Sequence, residues 1–163
     1  MRKRLLFILS AMLLSVVAVA QRHSYAEESV LRKGNVVKIR VKETGIHAVT
    51  YDELKKWGLQ PEQVRVLGYG GNMLSENILL NKWDDVPSVA FYMHKGADGV
   101  FNSGDYILFY ARGAIGWEFT GKRWLHTRNP YSDYGYYFLS DAAGEQRLIT
   151  QTEALDGTTA LDV

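Results

Sequence analysis

Cysteine is absent from this chain. Its absence removes every thiolate nucleophile and every thiolate metal site. Disulfides go with it, so a domain built from this sequence must hold together through its core. A segment of roughly 120 residues can do so, because longer chains bury a larger share of their surface. An excess of one charge is lacking too. The 163 residues carry 19 Lys and Arg against 18 Asp and Glu. Loss of residues 1–20 would take Arg2, Lys3 and Arg4 and leave 16 bases against 18 acids. So slight a balance attracts neither nucleic acid nor an anionic membrane. Beyond the N-terminus no run is long and apolar enough to span a bilayer. No internal repeat is visible. His23, His47, His94 and His126 stand singly, whereas a zinc site gathers three or four ligands. No nucleophile-elbow pattern supports a Ser–His–Asp triad. Gly70-Gly71-Asn72 follows a strand, but neither G-x-G-x-x-G spacing nor Gly-Lys-Ser/Thr accompanies it, so it reads as a turn.

The N-terminus has the makeup of a secretory signal peptide, residues 1–20. Arg2, Lys3 and Arg4 form a basic n-region, Leu5 to Val17 an apolar h-region, and Ala18-Val19-Ala20 a small-residue cleavage site. Export to the periplasm or cell surface follows, with Gln21 as the new start and no membrane span afterwards. Residues 21–34 read as a loose segment, 35–150 as a β-rich domain, and 151–163 as a truncated tail or linker.

The domain centres on residues 96–113, GADGVFNSGDYILFYARG. Asp98-Gly99 and Ser103-Gly104 are turn dipeptides, with Gly99 and Gly104 as the structural turn residues. The aromatic, β-branched run Tyr106 to Ala111 predicts a strand buried on both faces. Ser88 to His94, with Val89, Phe91 and Met93 on one face, predicts its hairpin partner. Val36 to Val41 alternates with Val37, Ile39 and Val41 inward, and a turn at Glu43-Thr44-Gly45 predicts a first hairpin with Ile46 to Val49. Thr50-Tyr-Asp-Glu53 is a capping box opening one short helix, Tyr51 to Trp57, closed by Gly58. Leu54 and Trp57 share a face at i, i+3. Further strands are expected at Val64–Tyr69, Lys122–Arg128, Gly135–Leu139 and Gln146–Thr150. Residues 74–87 read as irregular, and 113–121 as a glycine-spaced stretch around Trp117. The whole is mainly β, an antiparallel sandwich or barrel-like domain with one short helix.

Four segments in this order carry a family resemblance: Lys38 to Leu54 (KIRVKETGIHAVTYDEL), Arg65 to Gly71 (RVLGYGG), Gly96 to Tyr110 (GADGVFNSGDYILFY) and Asn129 to Leu139 (NPYSDYGYYFL). D-G-x-F-x-x-G-D-Y-I-x-F-Y and N-P-Y-S-D are the specific parts. Together they resemble the N-terminal region of the type IX secretion system C-terminal signal peptidases, or sortases, within the gingipain-like cysteine peptidases of the Bacteroidetes line. The similarity runs from about Val36 to Ile149. In that family such a region precedes a caspase-like domain holding a catalytic cysteine and histidine. The full enzyme sits at the cell surface, removes a C-terminal secretion signal from cargo and attaches the cargo to an anionic lipopolysaccharide. The resemblance thus implies a product truncated before the catalytic domain. Without a cysteine, the catalytic pair maps onto no residue here.

The resulting expectation is a non-catalytic scaffold, not an enzyme, docking to the missing peptidase domain or an outer-membrane secretion component. Two alternatives stand beside it: a secreted carbohydrate-binding β-sandwich, and a pro-segment-like inhibitor of a gingipain-like protease. Trp117, Trp124, Tyr134, Tyr136 and Tyr137 are the candidate interface aromatics, on which a partner or a glycan would rest. Tyr136 and Tyr137 are adjacent in a strand and must face opposite ways. No cofactor is called for. Asp98, Asn102 and Asp105 form a weak calcium candidate. Aligned as an EF-hand loop from His94, the stretch lacks oxygen ligands at positions one and three. Side chains bonding their own loop are the simpler reading.

Overall fold

The protein is described here by a computed structural model covering residues 25–77 and 83–150. The signal segment 1–20, His23, the tail 151–163 and part of the irregular stretch 74–87 lie outside the described residues. Nine strands and one helix follow in order: β1 (Val36–Val41), β2 (Gly45–Thr50), α1 (Tyr51–Lys56), β3 (Arg65–Gly70), β4 (Ser88–Val89), β5 (Phe91–His94), β6 (Tyr106–Ala111), β7 (Ile115–Phe119), β8 (Trp124–Arg128) and β9 (Gly135–Ser140). They form a four-stranded sheet, β1-β9-β3-β4, a three-stranded sheet, β2-β6-β5, and a two-stranded ribbon, β7-β8. Every pairing between these strands is antiparallel. The architecture is sandwich-like, and none of these sheets closes into a barrel.

The core draws on both larger sheets. Val41, Val66, Tyr137 and Leu139 come from the first, Val49, Phe91, Ile107 and Phe109 from the second, and Leu54 from α1. The alternation read in β1 holds, with Val41 buried and Val37 and Ile39 packed against the core. The capping box is present: Glu53 N–H donates to Thr50 Oγ1 at 3.2 Å, and Thr50 N–H donates to Glu53 Oε2 at 2.9 Å. Leu54 is fully buried, while Trp57, which caps the helix end, is exposed.

The central hairpin forms, with Phe91 opposite Phe109 and Met93 opposite Ile107. Its long strand differs from expectation. Ile107, Phe109 and Ala111 are buried, but Tyr106 and Leu108 are half-buried and Tyr110 is exposed. The β2-β6-β5 sheet covers the core with one face and meets solvent with the other, as antiparallel sheets commonly do. The partner strand also changes sheets midway. Ser88–Val89 pairs with β3 and Phe91–His94 with β6, so the chain turns a corner at Ala90.

The first hairpin does not form. β1 pairs with β9, and β2 pairs with β6. Residues 42–44 carry the chain from one sheet to the other. Thr44 is bound there to the β6–β7 segment: its Oγ1 accepts from Gly113 N–H at 3.1 Å and donates to Ile115 O, at the start of β7, at 3.2 Å. Period-two alternation says which face of a strand is buried but not which strand lies beside it. The expected strand at 146–150 shrinks to one parallel bridge at Leu148, where Phe91 N–H donates to Arg147 O at 2.9 Å and Ile149 N–H donates to Phe91 O at 2.8 Å. Conversely, β7 was unexpected: it lies in the stretch read as glycine-spaced, and its alternating residues Ile115, Trp117 and Phe119 are exposed rather than buried.

Residues 25–34 are largely exposed, but they are tied down. A 3-10 turn, Val30–Arg32, is capped by Ser29, whose hydroxyl donates to Asp85 Oδ1 at 3.0 Å. The N–H groups of Val30 and Val86 also donate to the Asp85 carboxylate. Burial pushes Asp85 up, but these donors outweigh it and hold the carboxyl below its usual range.

Candidate interaction surface

Three glycines root the β7-β8 ribbon. Gly71 follows β3, Gly113 follows β6, and Gly135 opens β9. A methyl group on Gly113 would collide with the carbonyl oxygen of Lys42, one on Gly71 with that of Gly113, and one on Gly135 with that of Arg112. Only a residue without Cβ lets these backbones touch. Gly71 N–H donates to Arg112 O at 2.9 Å, and Asn129 Nδ2 donates to Gly71 O at 2.8 Å. The N-P-Y-S-D segment therefore clamps the ribbon root, and Tyr131 N–H closes its turn on Asn129 Oδ1 at 2.9 Å.

From this root the ribbon presents two unlike faces. Cross-strand pairs place Ile115 with Arg128, Trp117 with His126 and Phe119 with Trp124 on one face. Trp117 is 67% exposed and Trp124 is 65% exposed, and Ile115 and Phe119 are open as well. The rings pack on one another within the ribbon: Trp117 and His126 centroids lie 4.8 Å apart, and those of Phe119 and Trp124 5.2 Å. The opposite face holds Gly116 and Leu125, both half-buried, and Glu118 and Thr127, both exposed; Gly116 approaches Asn72. The ribbon thus meets the domain near Gly116 and Asn72 and turns its aromatic face outward.

A cleft of about 500 Å³ opens beside the Ile115 and Trp117 end, with Lys42, Glu43, Tyr110 and Arg112 among its other walls. Among the described residues the ion pairs are Arg32–Glu28 and Arg128–Asp133, so neither Lys42 nor Arg112 has an acidic partner.

The five aromatic candidates separate. Trp117 and Trp124 share the ribbon face. Tyr134 is half-buried and Tyr136 is 37% exposed; both lie beside β1, with Arg40 4.9 Å over the Tyr134 ring and Lys38 4.1 Å over that of Tyr136. Tyr137 is withdrawn from the surface set. It is 3% exposed, packs edge-on against Phe109 and accepts a 2.8 Å bond from Arg112 N–H. Burial pushes its phenol up, and the Arg112 N–H partly offsets this. Strand alternation decides between neighbours: Tyr136 points out and Tyr137 in. Ile115 and Phe119 were missed, although their period-two spacing around Trp117 was the available signal.

The Asp98–Asp105 loop is built for its own fold. Gly99 (φ 70°) and Gly104 (φ 96°) take the left-handed backbone of their turns. Asp98 Oδ1 accepts from Val100 N–H at 3.0 Å and Asp98 Oδ2 from Asn102 Nδ2 at 2.8 Å, while Asp105 Oδ2 accepts from Asn102 N–H at 2.8 Å. The Val100 N–H, then Asn102, hold Asp98 below its usual range. The result drives Phe101 into the core, edge-on to Tyr51 with centroids 5.4 Å apart. No cluster of three or more His, Cys, Asp or Glu forms among the described residues. No helix there is long and apolar enough to cross a membrane.

No protein-family model matches the chain, and no curated protein sequence does. Among solved structures it is similar to the dimeric latent form of PorU from Porphyromonas gingivalis. The identity is 35%, the TM-score 0.66, and the match covers 78% of this chain but 11% of PorU.

Proposed function

We propose that this chain is the N-terminal, non-catalytic scaffold of a type IX secretion sortase-like peptidase, exported to the periplasm or cell surface. The observation that carries this reading is the 35% identity to PorU over 78% of the chain. The structure gives the resembling segments a mechanical purpose. The Asp98–Asp105 loop seats Phe101 in the core, and Asn129–Asp133 fastens the ribbon root. Cysteine-peptidase chemistry needs a thiolate, and this chain has none to supply. Its contribution is shape: a sandwich that docks against the peptidase domain or an outer-membrane partner. No cofactor is assigned to it.

The test is a chimera, PorU with its matching segment replaced by this chain. The chimera should release the C-terminal signal from cargo, while this chain alone releases nothing. A folded, exported chimera without that activity would refute the scaffold reading, as would turnover by the chain alone that is lost on a single His or Ser substitution.

A further inference from the structure

We infer that the aromatic face of the β7-β8 ribbon is an interdomain contact, covered by another domain of the same longer polypeptide through an apolar surface rimmed with carboxylates. The inference rests on the scaffold reading and names the surface and partner chemistry that reading leaves open.

Three observations carry it. First, the face is a contiguous apolar patch open to solvent. Ile115, Trp117, Phe119 and Trp124 lie side by side, each about half to two-thirds exposed. Together they offer on the order of 500 Å² of apolar surface, at the upper end for a monomer and characteristic of an interaction site. A lone two-stranded ribbon is also marginally stable in water, so this one gains from a cover.

Second, the size selects the occupant. Both sides of such a contact would bury on the order of 1,000 Å², within the roughly 600–1,500 Å² of interdomain interfaces and below most stable complexes of separate proteins. Tethering in one polypeptide raises the effective concentration enough for a contact of this size to persist. A longer polypeptide is the setting in which the similar fold occurs, since this chain matches 11% of PorU.

Third, the charge selects the rim. Lys42 and Arg112 flank the Trp117 end without acidic partners. Glu43 shares the cleft but pairs with neither base. A second copy of the ribbon would bring like charges together, whereas carboxylates on a partner domain would complement them.

Hydrogen exchange in the free chain and in the PorU chimera tests the inference. Amides of residues 113–128 should exchange quickly in the free chain and roughly tenfold or more slowly in the chimera. Trp117→Ser with Trp124→Ser should return the chimera's ribbon to the free rate, as should Lys42→Glu with Arg112→Glu, which leaves the aromatic face intact. An active chimera whose ribbon exchanges as fast as in the free chain would overturn the inference and leave the scaffold reading standing. A chimera that does not fold would overturn both. Retention of the free chain by a glycan array, lost in the double tryptophan variant while the chimera's ribbon stays unprotected, would assign the face to carbohydrate instead.

Discussion

Single glycines in this domain do two different jobs, and substitution separates them. Gly113 permits backbone contact with Lys42, so Gly113→Ala forces two main chains apart and should cost about 3 kcal/mol, the upper range for overpacking. Gly99 has open space where its Cβ would stand, so Gly99→Ala meets only the strain of its φ of 70°, about 1–2 kcal/mol. Thermal melting of the two variants should rank Gly113→Ala as the worse by several degrees. Equal melting temperatures would contradict the glycine junction. Sequence showed the second job and hid the first: Asp98-Gly99 announces a turn, but nothing near Gly113 announces Lys42, 71 residues away. Glu53 adds a residue-scale test of the helix cap. Bonds from the Thr50 N–H, then the Thr50 hydroxyl, lower its pKa, so its contribution is present above the usual carboxylate range. That contribution is lost as pH falls through the lowered folded value. Glu53→Gln should therefore melt below the parent at pH 7 and converge with it at low pH. A gap that widens on acidification would refute the cap.

At the scale of elements, β6 shows how a sequence can reveal a strand and mislead about its surroundings. Its run of apolar side chains suggested burial on both faces, yet Tyr110 is half exposed while Phe109 is sealed in the core. Tyrosine tolerates such a position because its ring covers neighbours while its hydroxyl stays wet. Phe109→Ala should cost about 3–5 kcal/mol, and Tyr110→Ala under about 1 kcal/mol. Chemical denaturation measures both, and equal losses would mean that both faces are covered after all. The helix and its cap were legible because their signals are local, from Thr50 to Gly58, although the helix ends at Lys56 and Trp57 is exposed. The β1–β2 hairpin was misread because strand pairing is a tertiary choice. Two alternating segments beside a turn fit a hairpin and a sheet-to-sheet crossing equally well, and the glycine junction decides for the crossing.

At the scale of the molecule, a β-rich domain could be read from spaced turns and alternating strands, but its division into two packed sheets and a projecting ribbon could not. Trp117 and Trp124 stood out as surface candidates by composition. Their union with Ile115 and Phe119 on one face required the β7-β8 register, which the glycine-spaced sequence of β7 conceals. Side-chain oxidation by hydroxyl radicals, read residue by residue by mass spectrometry, tests most directly whether this face is a docking surface. In the free chain, Trp117 and Trp124 should oxidise readily. In the PorU chimera both should be protected severalfold, while Trp57 at the end of α1 reacts alike in the two. Equal oxidation of Trp117 and Trp124 in the free chain and in an active chimera would contradict the account.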